Sequence, residues 1–169
     1  QPPRLLYLAF WYPPSRASGV YRALATTERF AERGWDVTVV TTSRRFLEEE
    51  IGSTDESLID LIPESVKVIR VPHAPSGGPR TDPREVGWFR ASYPAVWRKA
   101  SAAGARMKAT LRHNASKTAD VPDRYSGWPD AVCEAVDEMD LEFDHVLATG
   151  NPYAAFFAAK RVAETHGVS

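Results

Sequence analysis

Apolar residues fill Leu5–Phe10 without a break, and Pro13-Pro14 follow closely. A short apolar run ended by prolines predicts a buried strand over Arg4–Phe10. The period then changes. Tyr21, Leu24, Ala25, Glu28 and Ala31 or Glu32 recur at helical spacing, with Phe30 on the inner face, which predicts a helix over Val20–Arg33. Ser18 or Gly19 can start it, and Gly34 sits just past its end, where a left-handed cap is needed. Asp36–Thr42, DVTVVTT, is a β-branched run of strand length. Strand, helix and strand within this length make a βαβ unit, which is right-handed with parallel strands.

Beyond it the pattern is less regular. Residues 43–65 carry no clear period, apart from a short helix over Phe46–Ile51. Val66–Val71, VKVIRV, predicts a third strand. The segment PHAPSGGPRTDP has four prolines and two glycines, and predicts a mobile loop near 72–84. Phe89, Tyr93, Val96, Trp97, Ala100, Ala103, Met107 and Leu111 then predict a long helix over Val86–His113. A short helix follows at Pro129–Met139, a fourth strand at His145–Gly150, and a last helix at Pro152–His166. Asn151 is the expected N-cap of that helix and Gly167 its end. The order predicts a single Rossmann-like α/β domain, doubly wound, with a mainly parallel sheet ordered 3-2-1-4 and helices on both faces.

Composition adds limits. At 169 residues, 43% hydrophobic and 25% charged, the chain suits one soluble globular domain. Cys133 is its one cysteine, so no internal disulfide can form, which fits a cytoplasmic setting. The apolar run at 5–11 is too short to span a bilayer, and no signal-peptide pattern follows it. Gln1 suggests a trimmed start. Arg80–Lys117 is the outlier: nine basic residues against two acids give it +7, leaving −8 on the rest of a chain of net charge −1. Such a block points to an anionic partner for that segment alone. Trp88 and Trp97 lie there among Arg84, Arg90, Arg98 and Lys99. Two readings stand: an amphipathic helix with a wet basic face, or a peripheral contact with an anionic membrane or a polyprenyl-linked acceptor. Nucleic acid is disfavoured by the acidic remainder.

A parallel sheet of this order binds ligands outside the carboxyl ends of its strands, where the winding reverses between strands 1 and 4. The flanking turns are Trp11–Gly19 and Gly150–Pro152. Each leads into a helix N-terminus, whose unpaired N–H groups and positive dipole end favour anions. Ser18 and Gly19 allow close approach to the backbone, and Arg16 and Arg22 supply bidentate charge. Arg44, after strand 2, and His73, after strand 3, are further cleft-lining candidates. A plain Pro-Gly turn explains the same loop without a ligand. The G-x-G-x-x-G fingerprint is absent, and strand 2 ends in Thr-Thr-Ser-Arg-Arg with no acid for a ribose, so NAD(P) is disfavoured. No metal spacing is visible among the four histidines. No cofactor is expected.

RLLYLAFWYPPSRASGVYRALATTERFAERGWDVTVVTT resembles the opening of family-4-type retaining glycosyltransferases of the GT-B fold. The shared features are a strand, a Pro-rich turn, a small pair ending in glycine, an Arg three residues on, a Leu-Ala helix and an RGH-x-V-x-V-x-T motif, with Trp35 here at the His position. PDRYSGWPDAV and DHVLATGNPYAAFFAAKRVAE also resemble the amino-terminal half of transferases that build surface glycans. The chain departs from the family in having Ser18 for the first glycine of the pair and in lacking the second, donor-binding half. The resemblance implies an acceptor-binding domain. Gly19, Arg22, Gly150 and Asn151 would line the cleft beside the diphosphate of a nucleotide-sugar held mainly by that absent half, and a glycan or polyprenyl-linked acceptor would receive the sugar. No catalytic residue is implied within this chain, so the fragment alone should be inactive. The alternative is a non-catalytic Rossmann-like module that binds an anionic ligand or a protein.

Overall fold

The computed structural model describes residues 1–72, 125 and 127–169. Four strands form one parallel sheet: β1 (Arg4–Leu8), β2 (Asp36–Thr42), β3 (Lys67–Val71) and β4 (His145–Ala148), ordered β3-β2-β1-β4. Three α-helices accompany them: α1 (Val20–Glu32), α2 (Trp128–Glu138) and α3 (Ala154–His166). The expected α/β fold and strand order are therefore present. The expected loop near 72–84 and the basic helix lie outside the described residues from 73 on.

The faces follow from the side-chain period of two along β1. Tyr7 points to the α1 side, where its hydroxyl lies beside Thr26. Phe10, of opposite parity, meets Trp128 of α2 edge-on at 5.1 Å, and its carbonyl takes the Thr42 N–H one residue past the Leu8↔Val40 register, where the regular ladder has ended. α2 and α3 pack on each other. The helices thus cover both faces, as right-handed crossovers on either side of β1 require. Leu5, Leu6, Tyr7, Leu8, Val37, Val39 and Val40 are buried between the layers.

Several boundaries differ from the sequence reading. β1 ends at Leu8, two residues early, although the Ala9 N–H still reaches the Val40 carbonyl. β3 begins at Lys67 and β4 ends at Ala148. The buried stripe of α1 is Val20, Ala23, Leu24 and Thr27, while Tyr21 is 62% exposed. Thr27 is the reason the hydropathy pattern misleads. Its hydroxyl bonds the carbonyls of Ala23 and Leu24 and the Tyr12 hydroxyl, so a polar side chain takes an inner position. Gly34 and Gly167 adopt positive φ, as expected just beyond helix ends. Phe46–Ile51 is a π-helical turn, and a 3₁₀-helix at Glu56–Leu61 follows, capped by the Asp55 carboxylate.

Asn151 is not the N-cap of the last helix. That helix starts at Ala154 behind Tyr153, with no side-chain cap. Asn151 has φ 60°, in the left-handed region, which places it in the turn ahead of the helix.

Candidate functional site

The loop after β1 is tied down on all sides. Residues 11–15 are buried. The Tyr12 hydroxyl bonds Thr27 at 2.9 Å, and burial pushes its phenol up to about 12. Both prolines are in use: Pro13 offers its carbonyl to the Arg70 guanidinium, and Pro14 accepts from the Asp55 N–H at 2.7 Å. The Arg16 N–H donates to Ser53, and Ser15 bridges Thr54 in antiparallel fashion. The β2–β3 connection therefore holds this loop, and its two short helical turns exist to present Ser53–Asp55 to it. Arg70 and Asp55 escaped the sequence reading because they lie far from the loop in sequence.

Two helix starts open at the switch point. α1 begins behind Gly19 with no side-chain cap and no acid in its first turn, and α3 begins behind Tyr153 in the same condition. Both leave amide donors without a protein carboxylate. Gly19 has φ −71° and ψ −17°, and a Cβ added there would find its nearest atom, on Trp11, at 3.9 Å. Neither strain nor crowding within the protein requires glycine at this position. Gly150 is different: an added Cβ would lie 2.9 Å from two ring carbons of Phe156. Glycine there lets that ring lie on the backbone.

The arginines separate by environment. Arg44 pairs with Glu56 at 3.1 Å. Arg16 is exposed, and its charge acts on Asp55, whose carboxylate is held below the usual range, first by the Ser57 hydroxyl and backbone N–H and to a lesser degree by Arg16. Arg22 is exposed in the first turn of α1 and makes no ion pair among the described residues. Beneath it, the buried Tyr7 hydroxyl lies beside the Thr26 and Thr149 side chains and within reach of the Arg22 charge. Burial pushes the Tyr7 phenol up, so it stays a neutral donor. Through the Tyr7 hydroxyl, Thr149, which precedes Gly150, and Thr26, one turn beyond Arg22, meet on the α1 side of the sheet. A lone tyrosine in the aliphatic strand RLLYL was the available signal for Tyr7. Ser18 is exposed beside Gly19, and Asn151 is exposed beyond Gly150. His73, Arg84, Trp88, Arg90, Trp97, Arg98 and Lys99 lie outside the described residues. Among the described residues no cluster of His, Cys, Asp or Glu could hold a metal. None of their helices is long and apolar enough to cross a membrane.

No protein-family model matches the chain, and no curated protein matches it.

Proposed function

We propose that this chain is the acceptor-side domain of a retaining glycosyltransferase, transferring a sugar from a nucleotide-sugar to a glycan or lipid-linked acceptor. The observation that carries the phosphate-binding part is the pairing of Gly19 with Arg22. A glycine whose φ is negative and whose Cβ would meet no close atom opens a helix N-terminus, and three residues on stands Arg22, which has no acidic partner among the described residues. Such a place suits a diphosphate that approaches the backbone closely. The sugar-transfer part rests on the resemblance of residues 4–42 to the GT-B opening.

In this reading a second domain grips the nucleotide. This chain contributes the α1 dipole, the Arg22 charge and the Tyr7 and Thr149 hydroxyls beside it. These groups stabilise negative charge as it develops on the leaving phosphate, which is the dominant form of catalysis when no base is needed on the departing group. The basic segment, Arg84 to Lys99, would bring the protein to an anionic membrane surface where lipid-linked acceptors reside.

Pyrophosphate titration followed by amide NMR shifts tests the phosphate site. Saturable shifts at Gly19–Arg22 and Gly150, reduced in Arg22→Gln, are expected; shifts elsewhere and not there overturn it. The chain alone should transfer no sugar, and turnover by it would refute its assignment as one half of a site. Flotation with neutral and anionic vesicles tests the membrane contact: equal binding to both rules out a charge-driven one.

A further inference from the structure

Among the buried residues of β1, Leu5–Leu8, Tyr7 alone carries a polar group, and it is 2% exposed. A phenylalanine would fill the same space, and a buried phenol hydroxyl is tolerated only when it finds hydrogen-bond partners. Here the partners come from two elements. Tyr7 stands opposite Leu147 in the parallel β1–β4 register, and Thr149, two residues on, shares its face. From the helix side, α1 supplies Thr26. The Tyr7 hydroxyl shares hydrogen bonds with both threonine side chains. Thr26 in turn donates its hydroxyl to the Arg22 carbonyl at 2.8 Å. A string of hydroxyls therefore runs from the residue before Gly150 to the backbone of Arg22.

Tyr12 supplies the contrast. It belongs to the loop after β1, and its hydroxyl bonds the next threonine of α1, Thr27, at 2.9 Å. Thr27 also donates into its own helix, to the Ala23 and Leu24 carbonyls. The adjacent pair Thr26-Thr27 thus receives two phenols with different errands. Tyr12 fastens the loop after β1 to α1, and Tyr7 fastens the turn after β4 to α1. Among the described residues, no other hydrogen bond and no ion pair joins α1 to residues 145–153.

We propose that Tyr7 is a positioning residue whose hydroxyl fixes the Thr149–Gly150 turn to α1, so that the two turns flanking the switch point keep one relative geometry. Thr26 and Arg22 lie four apart on α1 and so share a helix face, which carries the tie to the turn that bears Arg22. A tie of two short side chains and one rigid ring has little slack, unlike an exposed ion pair. Its bearing on ligand binding rests on the phosphate reading, since only a ligand that meets both turns needs their spacing held. The tie itself does not rest on that reading.

The test is ¹⁵N NMR of the native chain, Tyr7→Phe, Thr26→Val and the double variant. Tyr7→Phe keeps the ring and removes the tie. The Thr149 N–H, which donates to the Leu8 carbonyl at 3.1 Å, should then exchange with solvent roughly fivefold faster, the effect of one hydrogen bond. The Ala9 N–H, bound to the Val40 carbonyl at 3.0 Å across the other edge of β1, should change little. Thr26→Val should move the Thr149 and Gly150 amide signals in the native background and leave them still in the Tyr7→Phe background, a non-additivity that two independent structural losses do not produce. Equal acceleration at Ala9 and Thr149 overturns the proposal, because the hydroxyl would then serve the whole fold. So do Thr26→Val shifts at Gly150 that survive in Tyr7→Phe. Pyrophosphate shifts at Gly19–Arg22 without the Tyr7-dependent coupling sink this inference alone; the coupling without pyrophosphate shifts supports it and sinks the phosphate reading instead.

Discussion

Gly150→Ala should change sign with the residue at position 156. In the native protein the new Cβ would stand 2.9 Å from the Phe156 Cε2 and Cζ atoms, against 3.4 Å for ordinary contact, so the ring must retreat by a few tenths of an ångström. Overpacking of this kind costs about 1–3 kcal/mol in a closed core. Phe156 is 47% exposed and its ring can yield, which puts the cost near the bottom of that range, about 1 kcal/mol. Against it stands the entropy a glycine returns to the unfolded chain, which makes Gly→Ala favourable by about 0.4–1 kcal/mol where the backbone permits. Gly150 is not among the positive-φ glycines, so its backbone permits it.

The net effect of Gly150→Ala is therefore a loss of about 0–0.6 kcal/mol in the native background. In a Phe156→Ala background the clash is gone and the same change should stabilise by about 0.4–1 kcal/mol. The coupling between the two sites is then about 1 kcal/mol, well above the 0.3–0.5 kcal/mol scatter of independent sites. Urea denaturation of the four proteins in this cycle measures it. A coupling indistinguishable from zero would refute the packing account of Gly150 and leave that glycine, like Gly19, without a structural reason.

Gly19→Ala should alter stability by no more than about 0.5 kcal/mol, because the entropic gain and the weaker capping by alanine oppose each other; a larger loss in thermal melts would show that the fold, not a ligand, needs this glycine. Arg70→Met removes the charge-assisted bond to the Pro13 carbonyl and should cost about 1.5–3 kcal/mol, with faster proteolysis near Arg16; a loss under about 0.5 kcal/mol would mean the Pro14–Asp55 bond holds the loop alone. Arg4 holds the Asp144 carboxyl down to about 2, first by its side-chain hydrogen bond and then through its backbone N–H. A depressed acid stabilises above its unfolded pKa and loses that contribution as pH falls, so melting temperature should drop between about pH 4 and pH 2 in the native protein and less steeply in Asp144→Asn.

The βαβ unit was legible because each of its signals is local. An apolar run, a helical period and a glycine at the one place where φ must be positive all lie within a few residues of what they specify. The β2–β3 connection was illegible for the opposite reason. A π-turn and a 3₁₀-helix have no periodicity to read, and their job of holding Pro13–Arg16 is done by residues some forty positions from that loop in sequence. Asn151 misled because an asparagine before a proline satisfies two local rules, an N-cap and a turn, and only the backbone decides between them. Residue type marked Arg16, Arg22 and Arg44 alike as candidates, and nothing local told which of them would meet a carboxylate. That depends on carboxylates brought in from elsewhere, Glu56 against Arg44 and Asp55 beside Arg16.

Those two carboxylates are not equivalent. The Arg44–Glu56 pair is exposed, so its net worth is at most about 1 kcal/mol and an incoming polyanion can draw Arg44 away from it. Asp55 cannot leave. Its side chain caps the 3₁₀-helix through the Ser57 N–H at 3.0 Å and the Ser57 hydroxyl at 2.6 Å, and its own N–H is bound to Pro14. A fixed negative charge therefore stands beside the loop and offsets Arg16. Asp55→Asn tests whether that charge tunes the crevice. Asparagine keeps an oxygen for the Ser57 N–H, so the cap and the loop geometry survive while the charge is removed. Pyrophosphate should then bind more tightly at low ionic strength, with Gly19 and Arg22 amides reporting the change, and the gain should fade as salt shortens the screening length to about 3 Å near 1 M. Unchanged affinity at low salt in a variant of native stability would show that Asp55 serves the loop alone and that the anion sits out of its reach.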